Sequence, residues 1–204
     1  MDNMALIIGL TGSIGTGKSM ISEQFRTLQI PVVDADVIAR EVVEPGKSAY
    51  DSIVESFGED ILHDDKTLNR QALGSIVFQD ETKRKQLNNI IHPAIRKEML
   101  EQRDDYVSQG ASCVVLDIPL LYESKLTHFV DKVLVVTVEP GVQLQRILDR
   151  DKMSEEEALR RIQSQIPVAE KAEIADAVID NNGSIEDSYE QLDTVLTKWN
   201  VQTK

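Results

Sequence analysis

The chain has 204 residues, 41% hydrophobic and 28% charged, enough apolar material for one sizeable fold with a well-solvated surface. Its net charge of −13 argues against a generic nucleic-acid binder and against docking on anionic membranes, but leaves room for one anionic small molecule in a locally basic site. One cysteine, Cys113, excludes an intrachain disulfide and, set in the apolar run Cys113-Val114-Val115-Leu116, reads as a buried structural thiol.

The first ten residues carry Asp2 and no basic segment ahead of a long apolar stretch, so no signal peptide is expected. No run approaches the ~18 apolar residues of a membrane span. The expectation is a soluble, cytoplasmic protein, a monomer or weak homo-oligomer, with neither nucleic acid nor membrane as partner.

Ala5–Leu10 is a short, nearly unbroken apolar run, the pattern of a strand buried on both faces in a parallel sheet. Gly12-Ser13-Ile14-Gly15-Thr16-Gly17-Lys18-Ser19 follows, matching G-x-x-x-x-G-K-[ST] at every fixed position. Glycines let such a loop turn tightly and bring its backbone N–H groups against a phosphate chain. The positive end of the helix that opens near Lys18 points at the same phosphates. Lys18 supplies a point charge to the β- and γ-phosphates, and the Ser19 hydroxyl is placed to ligate Mg²⁺. The ligand implied is a nucleoside triphosphate.

An amphipathic helix over Lys18–Leu28 runs roughly 16 Å away from the loop at 1.5 Å per residue, and a second strand, Pro31–Asp34, returns a similar distance. Asp34 is therefore expected at the carboxyl edge of the sheet, where ligands bind in open α/β folds. A carboxylate there can take a proton from a substrate hydroxyl, help hold Mg²⁺ through water, or cap the following helix. Asp36 shares these possibilities.

Residues 36–105 show no strand and read as a helical insertion, with helices over Arg70–Phe78 and Glu81–Tyr106 and a helix start at Pro93. A third strand, Ser112–Leu121, contains Asp117, the Walker-B-like partner for the loop lysine and the metal. A fourth strand, Lys132–Val138, leads to the arginine-rich helices Val142–Asp151 and Ser154–Gln165, read as a mobile lid. Arg146 and Arg150 stand one turn apart, so both could face transferring phosphates, and Arg161 is a weaker candidate. Ser154-Glu155-Glu156-Glu157 looks like a capping box, and Pro167 marks another helix start. A fifth strand, Ala177–Asp180, is stopped by Asn182-Gly183-Ser184 before a last helix, Ile185–Trp199. Strands alternating with helices give an α/β fold with a parallel sheet.

Assembled, "GLTGSIGTGKS", "VVDADVIAR", "LGSIVF", "IIHPAIR", "LDIPLLYE", "RILDRDKMSEEEALRRIQSQ" and "ADAVIDNNGS" resemble the dephospho-coenzyme A kinase family over about residues 5–195. The resemblance implies a P-loop kinase related to nucleoside monophosphate kinases: a three-layer α/β/α fold with a five-stranded parallel sheet. Its parts would be a core (1–35, 106–141 and 171–204), a helical substrate-binding region (36–105) and a lid (142–170). It implies ATP, with Mg²⁺, phosphorylating the ribose 3′-hydroxyl of dephospho-CoA to give CoA and ADP, the last step of coenzyme A biosynthesis. Lys18, Asp34 and Arg146 would be catalytic, with Asp34 as the base near the 3′-hydroxyl. The ATP site would be Gly12 to Ser19 with Arg146, Arg150 and Asn181, the last beside the adenine. Asp34, Arg40, His92, Arg96 and Asp117 would bind substrate. Asn69 departs from the family by lacking the charge of the usual aspartate.

Another small-molecule P-loop kinase would share the loop, the lid and the acid after the second strand. A GTPase-type switch is disfavoured, because Asn-Lys-x-Asp is absent and the only Asp-x-x-Gly, Asp180–Gly183, follows the last strand.

Overall fold

Among the described residues, 5–203, a computed structural model forms five strands and nine α-helices. In chain order they are β1 (Leu6–Gly12), α1 (Lys18–Thr27), β2 (Val32–Asp34), α2 (Ala35–Glu41), α3 (Ser48–Phe57), α4 (Arg70–Gln79), α5 (Glu81–Ser108), β3 (Cys113–Asp117), β4 (Lys132–Thr137), α6 (Pro140–Asp151), α7 (Glu155–Gln163), α8 (Val168–Glu173), β5 (Ala177–Asp180) and α9 (Ile185–Lys198). Met1 to Met4, on which part of the signal-peptide reading falls, lie outside the described residues.

The strands make one parallel sheet in the order β2-β3-β1-β4-β5. β1 is the middle strand, with Leu10 level with Asp117 of β3 and Leu134 of β4. That register carries Asp117 to the edge from which the loop after Gly12 emerges. Every residue of β3 is buried, as a strand covered on both faces requires. On one face Ile8, Leu10, Val115, Leu134 and Val136 pack with Ile21 and Phe25 of α1 and Leu192 and Leu196 of α9. The alternate positions Val114, Leu116 and Val135 are fully buried on the other face, where α8 packs against β4. The result is the three-layer α/β/α arrangement.

Two compact units divide the chain, Met1–Val33 with Arg103–Lys204, and Asp34–Gln102. The second holds α2, α3, α4 and most of α5 around Ile38, Ile53, Ile61, Leu73, Leu87 and Met99, all buried. Its extended pairing is a single antiparallel bridge, Leu62 with Leu68.

Several element boundaries differ from those the sequence suggests. The third strand stops at Asp117 and not at Leu121, because Pro119 cannot donate to a ladder. Pro93 does not start a helix: α5 runs through it as one element of 28 residues. The start is set instead by Asp80, whose Oδ1 accepts from the backbone N–H groups of Thr82 (2.8 Å) and Lys83 (3.1 Å). Pro93 costs one helical hydrogen bond, to the Asn89 carbonyl, and both residues are exposed, so water can serve that oxygen. The reciprocal capping box is also elsewhere. Ser154 accepts from Glu157 N–H, but the complete box is Ser184 with Asp187 at the start of α9. There the Ser184 backbone N–H, which donates to Asp187 Oδ2 at 2.9 Å, and next the Ser184 hydroxyl hold the Asp187 carboxyl below its ordinary range. Asn69 caps α4 by accepting from Ala72 N–H at 2.9 Å, which an asparagine does as well as an aspartate, so its missing charge has no local cost.

No helix among the described residues is long and apolar enough to cross a membrane. Cys113 opens β3 at 3% exposure, and burial pushes its thiol up to about 12. It is thus a protonated, inaccessible thiol at any ordinary pH. A thiol-specific disulfide reagent at pH 8 should label the native protein at least ~100-fold more slowly than the urea-unfolded chain; fast labelling of folded protein would contradict the burial.

Candidate active site

The loop between β1 and α1 is shaped by two glycines in left-handed backbone, Gly15 (φ 79°) and Gly17 (φ 89°). Neither could carry a side chain for reasons of space as well. A Cβ on Gly15 would stand 2.8 Å from Ile147 Cγ1, and one on Gly17 would overlap Asn181 Nδ2. Inside the loop, the Ser13 carbonyl accepts from both the backbone N–H (3.2 Å) and the Oγ1 (2.9 Å) of Thr16.

Gly17 is the N-cap of α1, and it supplies no side-chain oxygen; no acidic residue sits in the first turn. Met20 N–H turns back to the Gly17 carbonyl at 3.0 Å, and no side-chain cap or first-turn carboxylate competes for the N–H groups ahead of it, which suits an anion. Ser19 in that turn is exposed. Lys18, whose side chain is 15% exposed, makes an ion pair with Asp117 Oδ1, whose side chain is 3% exposed. Sequence spacing alone could not have measured this contact, 99 residues apart.

Three carbonyls of the loop are held from outside by side chains from three different parts of the chain. Gly12 O accepts from Lys171 Nζ of α8 at 3.2 Å. Ile14 O accepts from Gln143 Nε2 of α6 at 2.7 Å. Thr16 O accepts from Asn181 Nδ2, just after β5, at 2.8 Å. The Ile14 N–H donates to Gln165 Oε1 at 3.0 Å, and Ser13 Oγ lies 3.4 Å from the Ile166 carbonyl. With these three carbonyls bonded to side chains, they do not compete for the loop's own N–H groups.

Arg146 of α6 donates from Nη2 to the Asn181 carbonyl at 2.8 Å. Its Nη1 is 3.7 Å from the position a Cβ on Gly17 would take, so its guanidinium stands over the loop. Asn181 is 4% exposed, and its amide is engaged at both ends, donating to Thr16 O and accepting from Ser188 Oγ (2.9 Å). Arg150, one turn beyond Arg146, instead grips its neighbour Asp151 with two bonds (2.6 and 2.7 Å), which raise its guanidinium pKa and lower that of the Asp151 carboxyl. Arg161 pairs with Glu157 at 3.0 Å and reaches Asp151 at 3.7 Å.

In the unit formed by residues 34–102, Asp34 is the N-cap of α2, its Oδ1 accepting from Asp36 N–H (2.9 Å) and Val37 N–H (3.1 Å). Asp36 is exposed in the first turn. Arg40 is exposed at the end of the same helix, and its carbonyl accepts from Arg70 Nη2 at 3.3 Å. His92 and Arg96 lie four residues apart, one turn of α5, both exposed. His92 is thus a mid-helix residue and caps nothing.

The sequence reading overlooked Lys171, Glu123, Gln143 and Gln165. Lys171 and Glu123 carry no motif of their own that would single them out. Only Gln143 left a trace, a polar residue four positions before Ile147 on the buried face of α6.

The family model described as dephospho-CoA kinase (CoaE) matches residues 6–187. A dephospho-CoA kinase of Oceanobacillus iheyensis is 56% identical over 198 residues, covering 97% of this chain and 100% of that protein. One of Bacillus anthracis is 57% identical, covering 97% and 99%. Among solved structures, TT1252 from Thermus thermophilus superposes with a TM-score of 0.79 at 31% identity, covering 95% of this chain and 97% of that one. The dephospho-CoA kinase from Campylobacter jejuni superposes with a TM-score of 0.72 at 32% identity, covering 95% and 96%.

The loop geometry makes a sharp comparison possible. Gly17→Ala should abolish measurable nucleotide binding, a loss of at least ~100-fold, because both φ and the Asn181 amide oppose a methyl group there. Gly74→Ala, in α4 with nothing within 4 Å of the added carbon, should instead stabilise the fold by roughly 1 kcal/mol with nucleotide binding unchanged. Isothermal titration with ATP and thermal melts of both variants read the two effects; equal nucleotide affinity in Gly17→Ala would refute the steric argument.

Proposed function

The chain belongs to the dephospho-CoA kinase family, and we propose that it is an ATP-dependent kinase transferring the γ-phosphoryl group to the ribose 3′-hydroxyl of dephospho-CoA, giving CoA and ADP in the last step of coenzyme A biosynthesis. The observation that carries the chemistry is the loop itself: a helix start with no side-chain cap, two glycines in left-handed backbone and a lysine resting on a buried aspartate.

On binding ATP, Lys18 exchanges Asp117 for the β- and γ-phosphates, with the loop N–H groups cradling the same chain. Arg146 stabilises charge that spreads over the γ-phosphoryl oxygens, and Arg150 and Asn181 complete the ATP site. Asp117, once released by Lys18, serves the metal and the substrate. A magnesium ion fits this donor set. The Ser19 hydroxyl is exposed in the first turn, and no cluster of three or more His, Cys, Asp or Glu among the described residues holds a metal by itself, as expected where phosphate oxygens supply most ligands. When bound, the ion would neutralise charge on the β- and γ-oxygens.

The transfer balances simply. The 3′-oxygen bonds to the γ-phosphorus, the bond from that phosphorus to the β–γ bridging oxygen breaks, ADP leaves, and the hydroxyl proton passes to the Asp34 carboxylate. Cap bonds from Asp36 and Val37 fix the orientation of that carboxylate. Arg40, His92 and Arg96 supply cationic and hydrogen-bonding contacts to the anionic substrate, and a closing lid over 142–170 excludes water that would hydrolyse ATP. The family and the water-soluble chemistry of both substrates support a cytoplasmic enzyme. The acidic surface favours neither nucleic acid nor membrane, and we propose a monomer or weak homo-oligomer.

ADP release in the presence of ATP and Mg²⁺ tests this directly. Dephospho-CoA should stimulate it, with CoA as product, while adenosine, CMP and shikimate should not. Release driven by one of the other acceptors would keep a kinase and remove this substrate. Lys18→Ala and Asp34→Asn should each lower kcat by at least ~100-fold. Asparagine also caps helices, so Asp34→Asn should melt within a few degrees of the parent; near-parental turnover in that variant would take the base role away from Asp34.

A further inference from the structure

Lys171 is the one lysine among the described residues with no exposure at all, and it is not accounted for by phosphate binding. Its ammonium makes two contacts: an ion pair with Glu123 Oε1 at 2.7 Å and a hydrogen bond to the Gly12 carbonyl at 3.2 Å. Glu123 Oε1 also accepts from the Ile166 backbone N–H at 3.1 Å. Glu123 Oε2 is buried with no hydrogen-bond partner among the described residues. Stability alone gives no reason for this arrangement. A buried ion pair rarely repays its desolvation against an apolar pair of similar size, and here one carboxylate oxygen is left unbonded as well.

What the pair does accomplish is geometric. Gly12 is the last residue of β1 and the first of the phosphate loop. Its carbonyl accepts from a donor reaching up from α8. Glu123, between β3 and β4, fixes the end of the lysine and at the same time ties down residue 166. Through Gln165 on Ile14 and Ile166 on Ser13, the same short segment grips the next two loop residues. We propose that Lys171, held by Glu123, is a positioning residue for phosphoryl transfer: it orients the Gly12 peptide and so sets the geometry in which the loop meets the γ-phosphate. It touches no reacting atom. A loop misplaced by a fraction of an ångström still holds nucleotide but aligns the transfer poorly, so the loss falls on kcat more than on KM. The inference rests on the kinase reading above.

The test uses two variants of the full-length protein. Lys171→Met alone strands the Glu123 charge and is expected to lower Tm. The double variant Lys171→Met/Glu123→Gln removes both charges at similar volume and should recover most of that Tm. In the double variant, loop amides over residues 12–19 should exchange hydrogen at least ~10-fold faster than in the parent, and kcat should fall at least ~10-fold while KM for ATP changes by less than about 3-fold. A purely structural lysine predicts the opposite, Tm, exchange and kcat recovering together, and that result would overturn the proposal. Faster loop exchange with parental kcat would overturn it too. If the parent protein itself makes no CoA, the substrate reading fails, and hydrogen exchange still tests the tether to Gly12 without any turnover.

Discussion

A phosphate-binding loop has a problem that precedes any ligand: N–H groups kept for an anion cannot also serve the loop's own carbonyls, so most of those carbonyls need donors from elsewhere in the fold. The rest of this structure is arranged around that requirement. Gly12, Ile14 and Thr16, every second residue, each lend their carbonyl to a side chain from a separate part of the fold, Lys171, Gln143 and Asn181. The alternation makes the loop one ordered turn rather than a flexible glycine-rich strap. It also explains why α6, α8 and the end of β5 all converge on the middle strand. Each delivers one long polar side chain to one carbonyl.

Electrostatics follow the same local logic. The chain carries 13 net negative charges, yet Lys18, Arg146 and Lys171 all lie at the loop. Two of them are neutralised at rest by Asp117 and Glu123. The pairs differ in kind. Lys18 retains some exposure and can trade its carboxylate for a phosphate, whereas Lys171 is sealed in and holds the frame. The overall acidity therefore describes the solvated surface and says little about the site.

The parts of this molecule that were legible in sequence are those where backbone physics leaves few options. The loop is one: glycine at 15 and 17 is demanded by positive φ and by crowding, so the residue string and the geometry are nearly the same information. The buried strands are another, since a parallel sheet covered on both faces writes itself as unbroken apolar runs. Asp117 could be placed because strand register carries it to the edge where the loop begins. Pro93 misled because a local rule was overridden by its surroundings: α5 runs through an exposed proline, with Leu87 and Met99 buried on either side of it, and bears the lost hydrogen bond and the crowding of the ring. Helical spacing groups Arg150 with Arg146 but does not show the pairing Arg150 makes with Asp151 at rest. Lys171 and Glu123 were invisible for a deeper reason. A lysine or glutamate in an amphipathic stretch reads as solvated, and only the packed structure shows which one is sealed inside.

The crowding of Gly17 against Asn181 also constrains how such a sequence can change over time. The two residues are 164 positions apart, but the amide that fills the space above Gly17 is the same one that holds the Thr16 carbonyl and receives the Ser188 hydroxyl. A larger residue at 17 would require a smaller one at 181, and shortening 181 would take the Asn181 donor from a loop carbonyl and leave the buried Ser188 hydroxyl only its longer bond to the Ser184 carbonyl. No single step through the neighbouring sequences keeps all three contacts. These positions are therefore locked to one another by geometry, and drift in this lineage has to pass around them, through sites such as residue 69, where asparagine and aspartate cap a helix equally well.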